Sequence, residues 1–139
     1  FGEAAFPRQG SDVTIVAISN MVTHALTVAD ILAKEGISCD VIDPRTVSPL
    51  DHEAILESVE VTGRLVIIDE GNPRCGLATD IAGIVAEHGF YSLKAPIRTV
   101  TAPHTPVPFA PELEDAYLPN AEKLMVAVRE VLAAGPSGA

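Results

Sequence analysis

The sequence predicts an α/β fold, a three-layer α/β/α sandwich around a mostly parallel, five-stranded mixed sheet. Two observations carry that prediction. Short β-branched apolar runs alternate with stretches whose apolar residues recur at helical spacing. The runs are apolar at consecutive positions, the pattern of strands covered on both faces, and this specifies a parallel sheet with helices above and below. Right-handed crossovers follow from that arrangement.

Each element has its own reason. Residues 3–8 fit an antiparallel edge strand turning through Gly10-Ser11-Asp12, since Pro7 is tolerable only at an edge. Residues 13–18, VTIVAI, form a buried strand. Residues 20–35 place Met21, Val22, Ala25, Leu26, Ala29, Leu32 and Ala33 on one helical stripe. Ser19 or Asn20 can cap that helix and Gly36 ends it. A strand at 38–43 leads into the loop PRTVSP. A helix over 51–60 turns Ile55, Leu56 and Val59 inward, with Ser48 and Asp51 at capping-box spacing across Pro49. A strand at 64–69 and the turn EGNPRCG precede a helix at 77–88 with Leu77, Ile81, Ile84 and Val85 inward, closed by Gly89. A fourth parallel strand spans 97–101. The last helix, 121–133, is capped by Asn120, and the tail 135–139, GPSGA, is expected to be disordered.

The chain has 139 residues, the size of one domain, and its 47% hydrophobic content is ample for a core. No apolar run reaches the ~18 residues of a membrane span, and the start has no basic segment followed by an apolar one. Beginning at Phe1, the chain is expected to be a piece of something longer. A formal charge of −10, from 9 basic and 19 acidic residues, argues against nucleic acid and against anionic membranes. Cys39 and Cys75 form no CxxC or metal spacing. Cys39 is expected to be buried, and Cys75 lies in a loop.

In open α/β sheets, ligands bind beyond the carboxyl ends of the strands. The candidates there are Asp43, Arg45, Asp69, Glu70 and His104. A phosphate-receiver site also needs an acid after the first strand and a lysine after a late one, where this chain has Ser19-Asn20 and Thr101-Ala102-Pro103. The first strand-to-helix turn lacks glycine, so no dinucleotide fingerprint exists, and neither GxSxG nor HExxH occurs. His24, His52 and His88 have no partner at ligand spacing. Asp69-Glu70 can anchor a loop locally or serve a functional contact.

Residues 102–119, APHTPVPFAPELEDAYLP, hold five prolines. Proline fixes φ and removes a donor, so this arm is neither a helix interior nor a central strand. It nevertheless carries Val107, Phe109, Leu113, Tyr117 and Leu118, with His104 among the prolines. Such an arm either straps its own domain or lies across a neighbour, where its stiffness lowers the entropy lost on docking.

Three motifs, GISCDVIDPRTVSPLD (36–51), VTGRLVIIDEG (61–71) and the arm, resemble the C-terminal domain of the beta subunit of thiamine diphosphate-dependent 2-oxo acid dehydrogenases, the pyruvate, branched-chain 2-oxo acid and acetoin enzymes. The resemblance covers residues 10–133. Its first motif is shared across the wider transketolase C-terminal family, and the arm points to the dehydrogenase beta subunits. The resemblance implies a five-stranded mixed sheet with one antiparallel edge. It also implies an assembly domain of an oxidoreductase, inactive alone, whose partners are the alpha subunit and a second beta subunit. The complete enzyme holds thiamine diphosphate and magnesium outside this domain, between the alpha subunit and the N-terminal part of the beta subunit.

The same resemblance makes His104, Val107, Phe109, Leu113, Tyr117 and Leu118 the expected subunit interface. It makes Glu112, Glu114, Asp115, Glu122 and Glu130 the expected docking surface for the small basic binding domain of a dihydrolipoyl acyltransferase. It implies the cytoplasm of a bacterium or the mitochondrial matrix of a eukaryote. Two positions depart from the pattern: Lys94 stands where relatives often carry an acid, and Ser19-Asn20 where the first strand commonly ends in glycine. Rival readings are the C-terminal domain of a deoxyxylulose phosphate synthase or transketolase, which would not be expected to show LEDAYLP, and a free-standing α/β binding module.

Overall fold

The computed structural model describes residues 3–45, 50–70, 76–102 and 119–134. Five strands, β1 (Ala5–Arg8), β2 (Val13–Ala17), β3 (Cys39–Asp43), β4 (Leu65–Ile68) and β5 (Arg98–Val100), form one sheet in the order β1-β3-β2-β4-β5. All pairings are parallel except β1 with β3. Four α-helices flank the sheet: α1 (Val22–Ala33), α2 (His52–Thr62), α3 (Leu77–His88) and α4 (Ala121–Ala133).

Strand alternation divides the core in two. Val13, Ile15 and Ala17 of β2 face α1 and α4, together with Cys39, Val41, Val66 and Ile68. Val16, Ile42, Leu65 and Ile67 face α2 and α3. Consecutive residues therefore enter opposite cores, and this is why the strands read as unbroken apolar runs. The expected sandwich and mixed sheet are present.

The edge strand is antiparallel as expected, but its partner is β3 across the sheet, not the following strand through the Gly10 turn. Both edges of β2 are taken, by β3 and β4, so β1 pairs instead with the outer side of β3. Local anchors hold the crossing loop there. Gly10 N donates to Asp40 Oδ1 (3.1 Å), and Asp12 Oδ2 accepts from Ser38 N (2.7 Å). Between Ala5↔Asp43 and Arg8↔Val41 the register shifts, a bulge beside Pro7.

Capping follows expectation in α4, where Asn120 Oδ1 accepts from Lys123 N at 2.9 Å. It differs in α1. A 3-10 turn over Ser19–Met21 precedes that helix, and Met21 occupies its N-cap without a side-chain bond. Ser19 has φ 55, so neither it nor Asn20 is placed to cap. In α2, Asp51 is itself the N-cap, taking Ala54 N at 3.2 Å, while its other oxygen takes Ala4 N at 2.8 Å and so tethers the entry to β1. Ser48 lies outside the described residues. The helix runs on to Thr62, where Gly63 at φ +71 stops it. On α1, Val28 joins the buried stripe and Ala33 is exposed. A 3-10 turn over Phe90–Ser92 is an element the sequence pattern does not announce.

One polar chain runs through the α2 side of the sheet. Ser58 Oγ donates to Asp40 Oδ2, and Thr14 Oγ1 lies 2.7 Å from both Ser58 Oγ and Thr62 Oγ1. Ser58 spends its proton on the carboxylate, so Thr14 donates to Ser58, and the Thr62 hydroxyl is shared between Thr14 Oγ1 and the Arg64 carbonyl at 3.1 Å. Four buried polar residues are thereby satisfied along one directed chain.

Candidate functional site

The carboxyl ends of the strands bring together Asp43, Arg45 and Asp69, with Glu70 next to it. Asp43 and Asp69 end strands that are consecutive in sequence after β2 but not neighbours in the sheet, because β2 lies between them. Asp43 Oδ1 accepts from the backbone N of Arg45 at 2.9 Å, and Arg45 has φ 63. That bond closes a local turn and holds the residue in the left-handed region. Asp69 is buried and Glu70 exposed, while Asp69 N donates to Val100 O at 3.0 Å. His104 and Cys75 lie outside the described residues. His24 is half-buried, and His52 and His88 are exposed on their helices.

Among the described residues no three His, Cys, Asp or Glu side chains gather as metal ligands. The carboxylates at the strand ends repel a diphosphate, and the first strand-to-helix turn supplies no glycine-rich cradle. The described residues thus do not fit thiamine diphosphate with its magnesium.

The β5 edge offers more shape. A cleft of ≈ 420 Å³ runs between β5 and α4, lined by Arg98, Thr99, Thr101, Lys123, Val126 and Glu130. Glu130 is paired there with Arg98. Glu122, in the first turn of α4, is exposed. These two are the members of the expected docking set that the structure describes; Glu112, Glu114 and Asp115 lie outside the described residues. So do all six expected interface residues, His104, Val107, Phe109, Leu113, Tyr117 and Leu118.

Beside the same edge, Phe90, Tyr91, Leu93, Pro96, Ile97 and Ala86 line an apolar hollow of ≈ 620 Å³ with Lys94 at its side. Sequence reasoning missed this shelf. Its one signal is a pair of adjacent aromatics directly after the helix-closing Gly89, in a chain only 4% aromatic.

A model of the transketolase C-terminal domain matches residues 2–124. The chain belongs to the transketolase C-terminal domain family. Within it, the chain is 53% identical over 131 residues to the acetoin:2,6-dichlorophenolindophenol oxidoreductase subunit beta of Bacillus subtilis, covering 94% of this chain and 38% of that protein. It is 45% identical to the pyruvate dehydrogenase E1 component subunit beta of Rickettsia felis, covering 94% of this chain and 40% of that one. The chain therefore spans well under half the length of these relatives. Among solved structures, a split-gene transketolase described as an inactive beta4 tetramer superposes with TM-score 0.79 at 30% identity, over 96% of this chain and 43% of the other. The resemblance read from the three motifs is thus correct at family level. Among the described residues no helix is long and apolar enough to cross a membrane.

Proposed function

We propose that this transketolase C-terminal domain is the assembly module of the beta subunit of a thiamine diphosphate-dependent dehydrogenase acting on a 2-oxo acid or acetoin. The observation that carries the reading is its 53% identity, across nearly its whole length, to an acetoin oxidoreductase subunit beta. The poor fit of the described residues to a diphosphate and its metal supports an assembly role over a catalytic one. Cofactor chemistry then belongs to the rest of the beta subunit and to an alpha subunit. Higher identity to the acetoin protein than to the pyruvate one favours acetoin as substrate.

In this reading the arm is the subunit contact. Phe109 and Tyr117 supply aromatic surface on a proline-stiffened segment, the composition favoured at interface centres. His104, Val107, Leu113 and Leu118 flank them. Glu112, Glu114 and Asp115, with Glu122 and Glu130 of α4, steer a basic acyltransferase binding domain. Glu130 contributes least, because Arg98 already balances its charge.

The test joins this domain to the upstream part of its subunit and to its alpha subunit. Acetoin-dependent dye reduction is expected. Replacing Phe109 and Tyr117 with Ala should weaken assembly while leaving the melting temperature of the 139-residue chain unchanged. A complex that assembles normally without those two rings would sink the arm's role.

A further inference from the structure

A cleft of ≈ 290 Å³ opens between the edge strand β1 and helix α2, at the opposite edge of the sheet from β5. Its lining is of two kinds. Phe6 of β1 and Val61 of α2 give it apolar surface, 40% and 63% exposed. Asp40, Ser58 and Glu57 give it oxygen. Asp40 is only 8% exposed and Ser58 is buried beside it, so these two form the floor, while the exposed Glu57 stands at the rim. Thr14 donates to Ser58 and Ser58 donates to Asp40, so the interior polar chain points its hydroxyl dipoles at this carboxylate. No cation answers the charge. Among the described residues neither Asp40 nor Glu57 joins a salt bridge, and Arg8, the basic residue of β1, is paired with Asp30 of α1.

We propose that this cleft is a binding site for an alkylguanidinium cation. The match is one of geometry as well as charge. Asp40 Oδ1 accepts one bond, from Gly10 N, and Oδ2 accepts one, from Ser58 Oγ. A carboxylate oxygen takes two donors, so each retains one position. A guanidinium presents two parallel N–H groups that suit a pair of carboxylate oxygens, whereas an ammonium is a compact, strongly hydrated point charge. The flat face of the cation stacks on the Phe6 ring, and its alkyl stem covers Val61. A hydrated metal ion would leave both of those apolar surfaces wet. The volume lies at the lower end of small-ligand sites, about 300–1,000 Å³, and suits one compact group.

The field around the cleft favours the same occupant. Helix α2, HEAILESVEVT, carries Glu53, Glu57 and Glu60 and no lysine or arginine. These acids concentrate cations near the cleft, and salt screens their pull. A free guanidino compound and the arginine of a partner protein present the same group. The site is independent of the reading of the chain as a beta-subunit domain.

Titration of the isotope-labelled 139-residue chain with propylguanidinium chloride, followed through its amide resonances, tests the site. Saturable shifts at Gly10, Ala54 and Ser58 are expected, with a Kd of about 1 mM that weakens from about 0.05 M to 0.5 M sodium chloride. Butylammonium should bind at least about threefold more weakly, and magnesium chloride should leave those resonances in place. Asp40→Asn keeps an acceptor for Gly10 N but removes the charge, and should raise the Kd at least about tenfold. Glu57→Gln and Phe6→Leu lie at exposed positions. Their circular dichroism melts should match wild type while each raises the Kd about threefold. Should Asp40→Asn fail to fold, those two carry the test. Shifts that never saturate and scatter over the acidic surface overturn the proposal. So do equal binding of butylammonium, movement with magnesium, or an affinity indifferent to Glu57→Gln and Phe6→Leu. An end-blocked glycine–arginine–glycine peptide separates the sources. Tighter binding than propylguanidinium assigns the site to a partner's arginine, and weaker binding assigns it to a free compound.

Discussion

Arg129 holds both carboxylate oxygens of Glu35, at 3.0 and 2.8 Å, across 94 residues of sequence. The pair links the end of α1 to α4, the two helices that share one face of the sheet. The Arg129 hydrogen bonds and charge pull the Glu35 carboxyl below its usual 4.5, and Glu35 in turn raises Arg129. A depressed folded-state value means that the unfolded chain binds the proton more readily. The pair's stabilisation is therefore present above about pH 4.5 and is lost as pH falls through the lower, folded value. Glu35→Gln should lower the melting temperature slightly at pH 7 and flatten its fall below pH 4.5. Because the pair is solvent-exposed, high salt should shrink the difference. Equal pH profiles for the two proteins would remove the pair from the account.

The chain from Thr62 through Thr14 and Ser58 to Asp40 is the most consequential polar feature of the interior. Thr14→Val keeps the shape of the side chain but removes the link. Ser58 loses the hydrogen bond it accepts but keeps Asp40, and Thr62 keeps the Arg64 carbonyl as an acceptor at 3.1 Å. Losing a buried hydrogen bond while its partners remain otherwise satisfied costs about 0.5–1.5 kcal/mol. Urea denaturation should show a midpoint reduced accordingly, with an unchanged slope because the surface exposed on unfolding is the same. A neutral effect would mean that water enters and replaces the link.

What the sequence made legible follows the same physics. VTIVAI and RLVIID announce central strands because β2 and β4 are covered on both faces, and the runs of apolar residues have no other use. The caps Asn120 and Gly89 are local chemistry, decided within a few residues. The partner of β1 is not local. It depends on which strand edges remain open once β3 and β4 have flanked β2, and the turn at Gly10 does not record that. The burial of Asp40 was equally hidden: an acid inside SCDVID looks misplaced until Ser58, from a helix 18 residues on, and Gly10 supply its donors. The expected interface and docking residues rest on the composition of the arm and the family resemblance, and all of them but Glu122 and Glu130 lie outside the described residues. The Phe90–Tyr91 shelf escaped because exposure, not pattern, distinguishes it.

Cys39 should be chemically quiet. Burial in the α1 side of the core pushes its thiol up to about 11, against the ordinary 9.0. Arg8 acts weakly in the opposite direction and Asp12 adds to the rise. Two pH units correspond to a thiolate fraction roughly 100-fold smaller at neutral pH, before access is considered. In a Cys75→Ser background, modification by an aromatic disulfide reagent at pH 8 should be at least about 100-fold slower than for an exposed thiol. Denaturant should restore the ordinary rate. A raised value also means that the neutral thiol's contribution is complete below pH 9 and fades as pH climbs towards 11. Fast labelling of the native protein would show that the α1 side opens readily.

Two glycines should respond to alanine in opposite directions. At Gly10 a methyl group would stand 2.5 Å from the carbonyl carbon of Cys39 and 2.6 Å from its oxygen. Those atoms are backbone, fixed by the pairing of β3 with β2, and cannot swing aside. Relief would require the crossing loop to lift, breaking the bond from Gly10 N to Asp40 and loosening β1. Gly10→Ala should therefore cost more than about 2 kcal/mol. Gly83 lies inside α3, where an added methyl group meets nothing within 4 Å. There the substitution removes only the excess backbone freedom of glycine in the unfolded chain, and Gly83→Ala should stabilise by about 0.5–1 kcal/mol. Paired urea titrations read both signs. A tolerated Gly10→Ala would mean that the loop does not press on β3 in solution, and β1 would then be a loosely held edge instead of an anchored one.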